Sequence, residues 1–590
     1  MAGTTSLAAT PSAADRALKG VLQRKYVKDL WILLASVVAF LTLIRVTRLI
    51  LSLVFPPKRL ETIEPPSSPS EKVDPEAVQP VRNGRASLRR LPAAFASVFR
   101  VIAFRLNIPI GPGSKATVAE LTFIFGYIIT MLTLLLINTE DLNKFFWEDR
   151  AAHLASCQLP LIVALAGKNN IISFFTGVSH EKLNILHRAA ARTCLLFIWI
   201  HAITRASSGL PQKFDFTHAW IRWGAVGLVA FTLATIFSIR PIRNAFFEFF
   251  LITHIILIGF GTYIWPALVI WAFDRVLRGT RLLWNNRFRA GGDHHEAKAT
   301  IELLSHDTIR LTLRRRFNWR PGQHAYVVLP TVSALPTEAH PFTIATIPSK
   351  LDGTEAGFGE ERDVSFIIRG RGGFTGRLRE LAKSGQNSTV PAFVDGPYGY
   401  PPDLTRFSTS ILVAGGSGVS YTLPLLLDLV SKARAGKSSV RRAVFVWAVR
   451  DPGHIRWISK VLTEALVAAQ QTSLEVEARL YITGSSSPLS ETPQVSFDGS
   501  QNGSSPSSEK DMKLPLYHAL QITHGRPSIK KILQDEIALA HGPVSVDVAG
   551  PSSLSQSISR ALASDLTSSA GVLRGAPTVT LHTETFGMTK

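Results

Sequence analysis

The sequence predicts a multi-span α-helical membrane domain, then an antiparallel β-barrel, then an α/β domain with a parallel core. Three observations predict it. Runs of about twenty apolar residues, the length that crosses a bilayer, recur through the first half of the 590 residues. From about residue 297 they give way to short alternating strand patterns punctuated by Gly and Pro. From about residue 408, strands alternate with a glycine turn and helices, the pattern of a parallel sheet.

In chain order, residues 1–29 read as an N-terminal tail with no apolar core, hence no cleavable signal peptide. Residues 30–55 form a first span able to act as a signal anchor, with Arg45 and Arg48 near one end, where they can snorkel. A basic Pro/Ser linker, 56–116, follows. The core, 117–273, contains candidate spans 117–137, 153–176, 185–204, 218–239 and 246–272, and the acidic loop 138–149 reads as external. The chain leaves the membrane near Asp274 to Arg289. Strands such as ATIELLS, TIRLTLRR, HAYVVLP and DVSFIIRG then place a barrel at 297–403, and 408–590 holds the α/β domain. Residues 484–513 are too polar to pack and read as a disordered insert.

The net charge of +21 does not indicate nucleic acid, because of where it lies. Lys58, Arg59, Arg82, Arg85, Arg89, Arg90, Arg100 and Arg105 share one loop, Arg240 and Arg243 another, and Arg275, Arg278 and Arg281 follow the last span. That is the positive-inside pattern of cytoplasmic loops beside a lipid bilayer. The two cysteines, Cys157 and Cys194, fall in apolar segments and form neither a disulfide framework nor a cysteine metal site.

Ionisable groups inside a membrane are costly and tend to be functional. His187 and His201 bracket the run LHRAAARTCLLFIWIH and stand fourteen residues apart. At about 100° per residue that is about 40° short of four turns, so both share one helix face, about 21 Å apart along the axis. Zinc would need further His, Cys or carboxylate ligands close by, and none is evident. Haem needs only axial ligands, and two haems at two depths would carry electrons across the bilayer. His254, in FFLITHIILIGF, has an apolar setting like that of His201.

The stretch LAGKNNIISFFTGVSHEKLNILHRAAARTCLLFIWIH resembles the second and third core spans of the ferric reductase transmembrane family, fungal branch, which is related to the NADPH oxidases. The resemblance implies that each haem b is held by one histidine of the third core span and one of the fifth. His187 and His201 match the first pair, and His254 matches the first of the second. The fourth histidine is missing, since the matching neighbourhood reads Trp265, Pro266, Ala267, Leu268. The 27 residues of 246–272 allow one crossing, whereas two need about 40. Yet Arg243 and Arg275 both carry the cytoplasmic signature. One or two haems are therefore expected. A short segment carrying the fourth ligand is absent, through a gene-model error, a splice variant or real loss.

The same resemblance extends through the soluble half, implying a ferredoxin-reductase-like FAD barrel and an NADP-binding domain. RPGQH (320–324) and His340, Pro341, Phe342 and Thr343 resemble the family's flavin motif, with backbone amides and the Thr343 hydroxyl meeting the isoalloxazine and ribityl groups. RGRGGFTGRL (369–378) fits the flavin pyrophosphate: Arg369 supplies charge, Gly372 and Gly373 allow close backbone approach, and Phe374 and Thr375 open a helix. Gly415, Gly416, Ser417 and Gly418 follow an apolar strand and open a helix, as a dinucleotide pyrophosphate needs. Arg450 is placed to read the 2′-phosphate of NADPH, or else is a solvated strand end. In VAGPSS, Gly550 and Pro551 match the family, but Ala549 stands where a cysteine is frequent. Glu584 and Phe586 in the C-terminal HTETFGMTK would approach the flavin ring as catalytic residues.

The implied activity is a metalloreductase passing electrons from cytosolic NADPH through FAD and haem to extracytoplasmic ferric or cupric chelates, siderophores among them, with an iron permease/oxidase uptake system as partner. The plasma membrane is the expected location, with the vacuolar membrane the other. The alternatives are a superoxide-generating NADPH oxidase, or a non-catalytic member lacking the outer haem.

Overall fold

The computed structural model describes residues 12–54, 86–111, 114–139, 143–207, 216–258, 265–288, 298–336, 338–354, 357, 360–385, 389–484, 519–563 and 569–584. The expected disordered insert lies outside them except for Gly484, and so do most of the linker and Phe586.

The chain opens with α1 (Ala13–Val54), α2 (Leu91–Arg100) and a hairpin, β1 (Asn107–Gly111) with β2 (Ser114–Thr117). The helices α3 (Val118–Leu136), α4 (Lys144–Ala166), α5 (Ile171–Thr176), α6 (His180–Ser207), α7 (Ala219–Phe237), α8 (Arg240–Ala245), α9 (Phe247–Ile258) and α10 (Trp265–Leu283) follow. Two compact units result: one draws on Met1–Phe55 and Ala119–Gly279, the other on Pro56–Val118 and Thr280–Thr589.

In the first unit, α1, α3, α6 and α7 are each long and apolar enough to cross a membrane. The unit is a helical bundle whose buried seam runs through Met131, Leu135, Ala151, Leu154, Cys194 and Phe197. Two expectations change here. Helix α1 begins at Ala13, so the tail expected over 1–29 is largely helix. Leu22, Tyr26 and Leu30 recur at intervals of four on α1 and are 7%, 3% and 1% exposed, so this early part is packed into the bundle. The second change concerns 246–272, expected as one crossing. Its described parts are α9, Phe247–Ile258, and α10, which starts at Trp265 and runs on to Leu283, beyond the expected end.

Polar groups fix the bundle ends. Arg150 on α4 is 1% exposed and donates to the carbonyls of Leu135 (3.0 Å) and Ile137 (2.6 Å), closing the C-terminus of α3 as a cation there should. Tyr26 of α1 lies 4.7 Å below that guanidinium. Lys19, Glu148, Asp149 and Arg205 tie α1, α4 and α6 together, with Lys19 Nζ 2.8 Å from Asp149 and Arg205 3.2 Å from Glu148. After α4, Asn170 caps α5 by accepting from Ile172 and Ser173 amides, and Gly177 ends it in the left-handed region.

The second unit continues with β3 (Lys298–Ser305), β4 (Thr308–Arg315), β5 (His324–Val328), β6 (His340–Thr343), β7 (Arg362–Arg369), α11 (Gly373–Ser384), β8 (Thr389–Pro391) and β9 (Phe393–Tyr398). These form two antiparallel sheets, ordered β7-β4-β3-β8 and β6-β5-β9, joined by a bridge from Ile344 to Phe366. The expected barrel is thus a partly open one, closed over Ile309, Leu311, Leu313, Val364 and Phe366.

Next come β10 (Thr409–Gly415), α12 (Val419–Arg434), β11 (Arg442–Val449), α13 (Ser459–Gln470), β12 (Glu475–Ile482), β13 (Leu520–His524), α14 (Ile529–Leu539), β14 (Val544–Ala549), α15 (Ser552–Ala563), α16 (Ser569–Leu573) and β15 (Val579–Glu584). The sheet runs β13-β12-β11-β10-β14-β15, every pair parallel, and its strands are apolar on both faces because helices cover both. Its order reverses beside β10, between β11 and β14, which is where such sheets bind ligands.

The linker also differs from expectation, because residues 87–111 and 114–117 are structured and pack on this last domain. The Ser87 amide donates to Leu573 O (3.1 Å) and Lys115 to Gln556 (2.6 Å). Arg105, only 4% exposed, donates to the Leu562 (2.8 Å) and Val579 (2.6 Å) carbonyls. Burial, then the neighbouring Arg100, draws its guanidinium down to about 10.

Candidate functional site

Within the bundle, α4 and α6 run antiparallel, and both histidines of α6 reach across to α4 backbone. His187 Nδ1 lies 2.8 Å from the Ile162 carbonyl, and His201 Nδ1 lies 2.9 Å from the Glu148 carbonyl. A carbonyl only accepts, so in each ring Nδ1 is the donor and Nε2 is the nitrogen left to face a metal. The ring of His254, on α9, stands 6.4 Å from that of His187 at 74°. Two metal–nitrogen bonds of about 2.0 Å plus two ring radii sum to roughly this separation. His254 Nδ1 is buried and makes no hydrogen bond of ordinary geometry among the described residues. His187 and His254 thus fit one bis-histidine haem. His201 makes no ring contact with another histidine among the described residues, although it is oriented as His187 is.

In the barrel, β6 pairs with β5 so that His340 faces Val327 and Thr343 faces His324. The His340 ring stacks on Phe374 at 4.4 Å and 26°, and its Nε2 is 2.7 Å from Glu338. Glu338 also meets Arg377 at 3.0 Å. Burial by itself would raise this carboxyl, but bonds from His340 and the Ala334 amide, with the Arg377 charge, hold it below its usual value. Pro341 is exposed, Phe342 half-buried and packed 6.3 Å from Phe374, and Thr343 buried. The α11 start is open: a Cβ at Gly372 or Gly373 would meet nothing within 4 Å, and Gly373 has φ +54°. Such a bare backbone edge fits a flavin pyrophosphate. The Thr375 hydroxyl accepts from the Arg371 amide (3.2 Å) and donates to the Gly372 carbonyl (3.1 Å), so it shapes this turn. Arg369 donates its Nε to Asp307 at 2.7 Å, which anchors that side of its guanidinium.

At the reversal point, the turns after β10 and β14 interlock. A Cβ on Gly418 would lie 2.1 Å from the Ala549 carbonyl oxygen, and one on Gly415 2.8 Å from Pro551 Cδ. Gly550, at φ +152°, sits against Gly415 with no room for a side chain. Gly416 (φ +56°) faces open space, and its carbonyl accepts from Trp447 Nε1 at 2.9 Å. Ser417 is half-buried, and its carbonyl accepts from Ser420 (3.0 Å). Arg450 is exposed at the end of β11. Glu584 ends β15 opposite Ala549, 3.7 Å from His582.

Sequence reasoning missed a polar group at this same place. Asp547, fully buried on β14, faces His582 across the strand pair and accepts from the Ser545 hydroxyl at 2.6 Å. Burial pushes its carboxyl up to about 6, against the pull of His582. Buried Tyr421 stacks on His582 at 5.9 Å. The signal was a lone Asp in the apolar strand VSVDVA.

Comparison with known proteins agrees with this order of domains. Residues 151–264 match the family described as ferric reductase like transmembrane component, 294–402 the FAD-binding domain, and 407–563 the ferric reductase NAD binding domain. The probable cell surface ferric reductase kap2 of Aspergillus oryzae is 28% identical over 412 residues, 65% of this chain and 54% of that protein. The ferric/cupric reductase transmembrane component 1 of Candida albicans is 25% identical, covering 67% and 52%. Component 2 of Saccharomyces cerevisiae is 26% identical, covering 68% and 56%. The chain spans about half the length of these curated relatives. Three matches in this order, over a helical bundle, a flavin-type barrel and a nucleotide-type sheet, make the chain a multi-pass member of the ferric reductase transmembrane family.

Proposed function

We propose that the chain is a transmembrane metalloreductase that takes electrons from cytosolic NADPH through FAD and haem to ferric or cupric chelates beyond the membrane. It would supply an iron permease/oxidase uptake system at the plasma membrane. The observation that carries this reading is the His187–His254 pair, 6.4 Å apart inside the bundle of a chain that also has flavin- and nucleotide-type domains. The relatives' names, ferric and cupric reductases, point to the acceptor.

Flavin would supply the change from two-electron to one-electron transfer and haem the single-electron relay. This chain's residues would do the rest. The β6 edge and Thr343 would orient the isoalloxazine, the α11 amides would hold its pyrophosphate, and the Gly415–Gly418 turn would seat the nucleotide. Exposed Arg450 would meet a 2′-phosphate, and Glu584 would approach the flavin ring.

A second reading has its own observation: no histidine lies between His254 and His294 in the sequence. Such a chain would keep the inner haem and lack the outer. The test is the dithionite-reduced minus oxidised spectrum with haem counted per chain. One haem, lost in His187→Ala and His254→Ala and kept in His201→Ala, supports the half-relay. Two haems would mean another ligand replaces the fourth histidine, and the full relay stands. No haem overturns both.

A further inference from the structure

The turn between β3 and β4 presents His306 and Asp307 toward His454, which sits in the 3-10 turn after β11. The ligand atoms of all three lie within 4.8 Å of one another, with His454 Nε2 3.5 Å from Asp307 Oδ1. His454 is 4% exposed, and its Nε2 is buried with no hydrogen-bond partner. Its ring is fixed against Trp457 at 4.2 Å and lies nearly parallel to His306, 6.2 Å away at 21°. Asp307 is held as well: Oδ2 accepts from Arg369 (2.7 Å), and Oδ1 accepts from Thr308 (2.9 Å) and Ser305 (3.1 Å).

An immobilised imidazole nitrogen aimed at a carboxylate without a bond is an arrangement proteins avoid unless something bridges the two. Two ligands on a tetrahedral ion with bonds of about 2.0–2.1 Å stand about 3.4 Å apart, close to the spacing observed. We propose that His306, Asp307 and His454 form a binding site for a divalent cation of the zinc type, clipping the barrel to the nucleotide domain. Two imidazoles and one carboxylate select zinc over calcium or magnesium, which prefer all-oxygen shells. Arg369 is the outer partner that orients the carboxylate, as buried metal ligands require. Exposed His306 provides the entry path, and the fourth position is left to water. The site is separate from the flavin, nucleotide and haem residues apart from Arg369, so it stands whether or not the chain reduces metals.

The test uses the full chain in detergent with its cofactors, equilibrated with micromolar zinc and washed, with zinc counted per chain by mass spectrometry. We expect one zinc per chain, removed by a chelator, that raises the unfolding temperature of the soluble unit. In His306→Ala zinc affinity should fall by about tenfold or more with FAD content unchanged, and in Asp307→Asn zinc affinity should fall likewise. His306 is exposed, so its variant keeps the test valid where His454→Ala fails to fold. No stoichiometric zinc, leaving only an ion pair between His454 and Asp307, overturns the proposal. So does zinc retained at wild-type affinity in His306→Ala.

Discussion

At the residue scale, single atoms decide what the nucleotide-type sheet tolerates. Gly418 has no space for a methyl group, since its Cβ would lie 2.1 Å from backbone oxygen rather than from a movable side-chain end. Gly418→Ala should therefore displace the turn and raise the apparent NADPH KM by about tenfold or more, read in flavin reduction kinetics. Asp547 makes the opposite kind of prediction. Its folded-state pKa of about 6 lies above the ordinary 3.8, so the folded chain binds more protons than the unfolded between those values. The stability held with the acid protonated is present below about pH 4 and lost as pH rises to 6, by roughly 3 kcal/mol. Asp547→Asn should flatten that slope and stabilise the soluble unit at pH 7, as denaturant titrations at pH 4.5 and 7 would measure. Neither effect was legible in the sequence. The glycine cluster was readable as a turn, but the carbonyl it presses on is 131 positions away, and the burial of Asp547 depends on a strand pairing that no local pattern encodes.

At the element scale, periodicity served well wherever one face of a helix or strand decides burial. The spans of α3, α6 and α7 fall within a few residues of the expected bounds because apolar length alone sets them. It failed for α1, whose first turns are polar by composition and yet buried along one stripe, and for the linker, whose Pro/Ser and arginine content reads as solvated. There the arginines act as hydrogen-bond donors to another domain. Arg100 and Arg105 both reach the Val579 carbonyl of β15, the outermost strand of its sheet, and so cover an edge that would otherwise be exposed. Arg105→Ala would remove a buried donor from the Leu562 carbonyl and one of two arginine donors from Val579, and should cost about 1–3 kcal/mol of stability, with Arg105→Lys recovering part of it. Thermal unfolding of the soluble unit, followed through flavin release, measures both.

On the scale of the whole molecule, each unit carries its own core, so losing one function should leave the other intact. His254→Ala should abolish reduction of an external chelate while NADPH still bleaches the flavin at the wild-type rate. Anaerobic stopped-flow spectra separate the two steps, and a slowed flavin reduction in that variant would refute the separation. The order of the modules was readable from composition, and so were the histidines, because ionisable groups stand out in apolar runs. What the ordering of modules does not convey is register. Positions 187 and 162 meet, as do 201 and 148, at the same fourteen-residue interval on two helices running in opposite directions. One residue inserted between His187 and His201 would turn His201 by about 100° and shift it about 1.5 Å, away from its carbonyl. Only a matching insertion in α4 would restore both contacts. Descendants of this chain can therefore lengthen or shorten these two helices only in concert, so insertions and deletions there should be inherited as pairs.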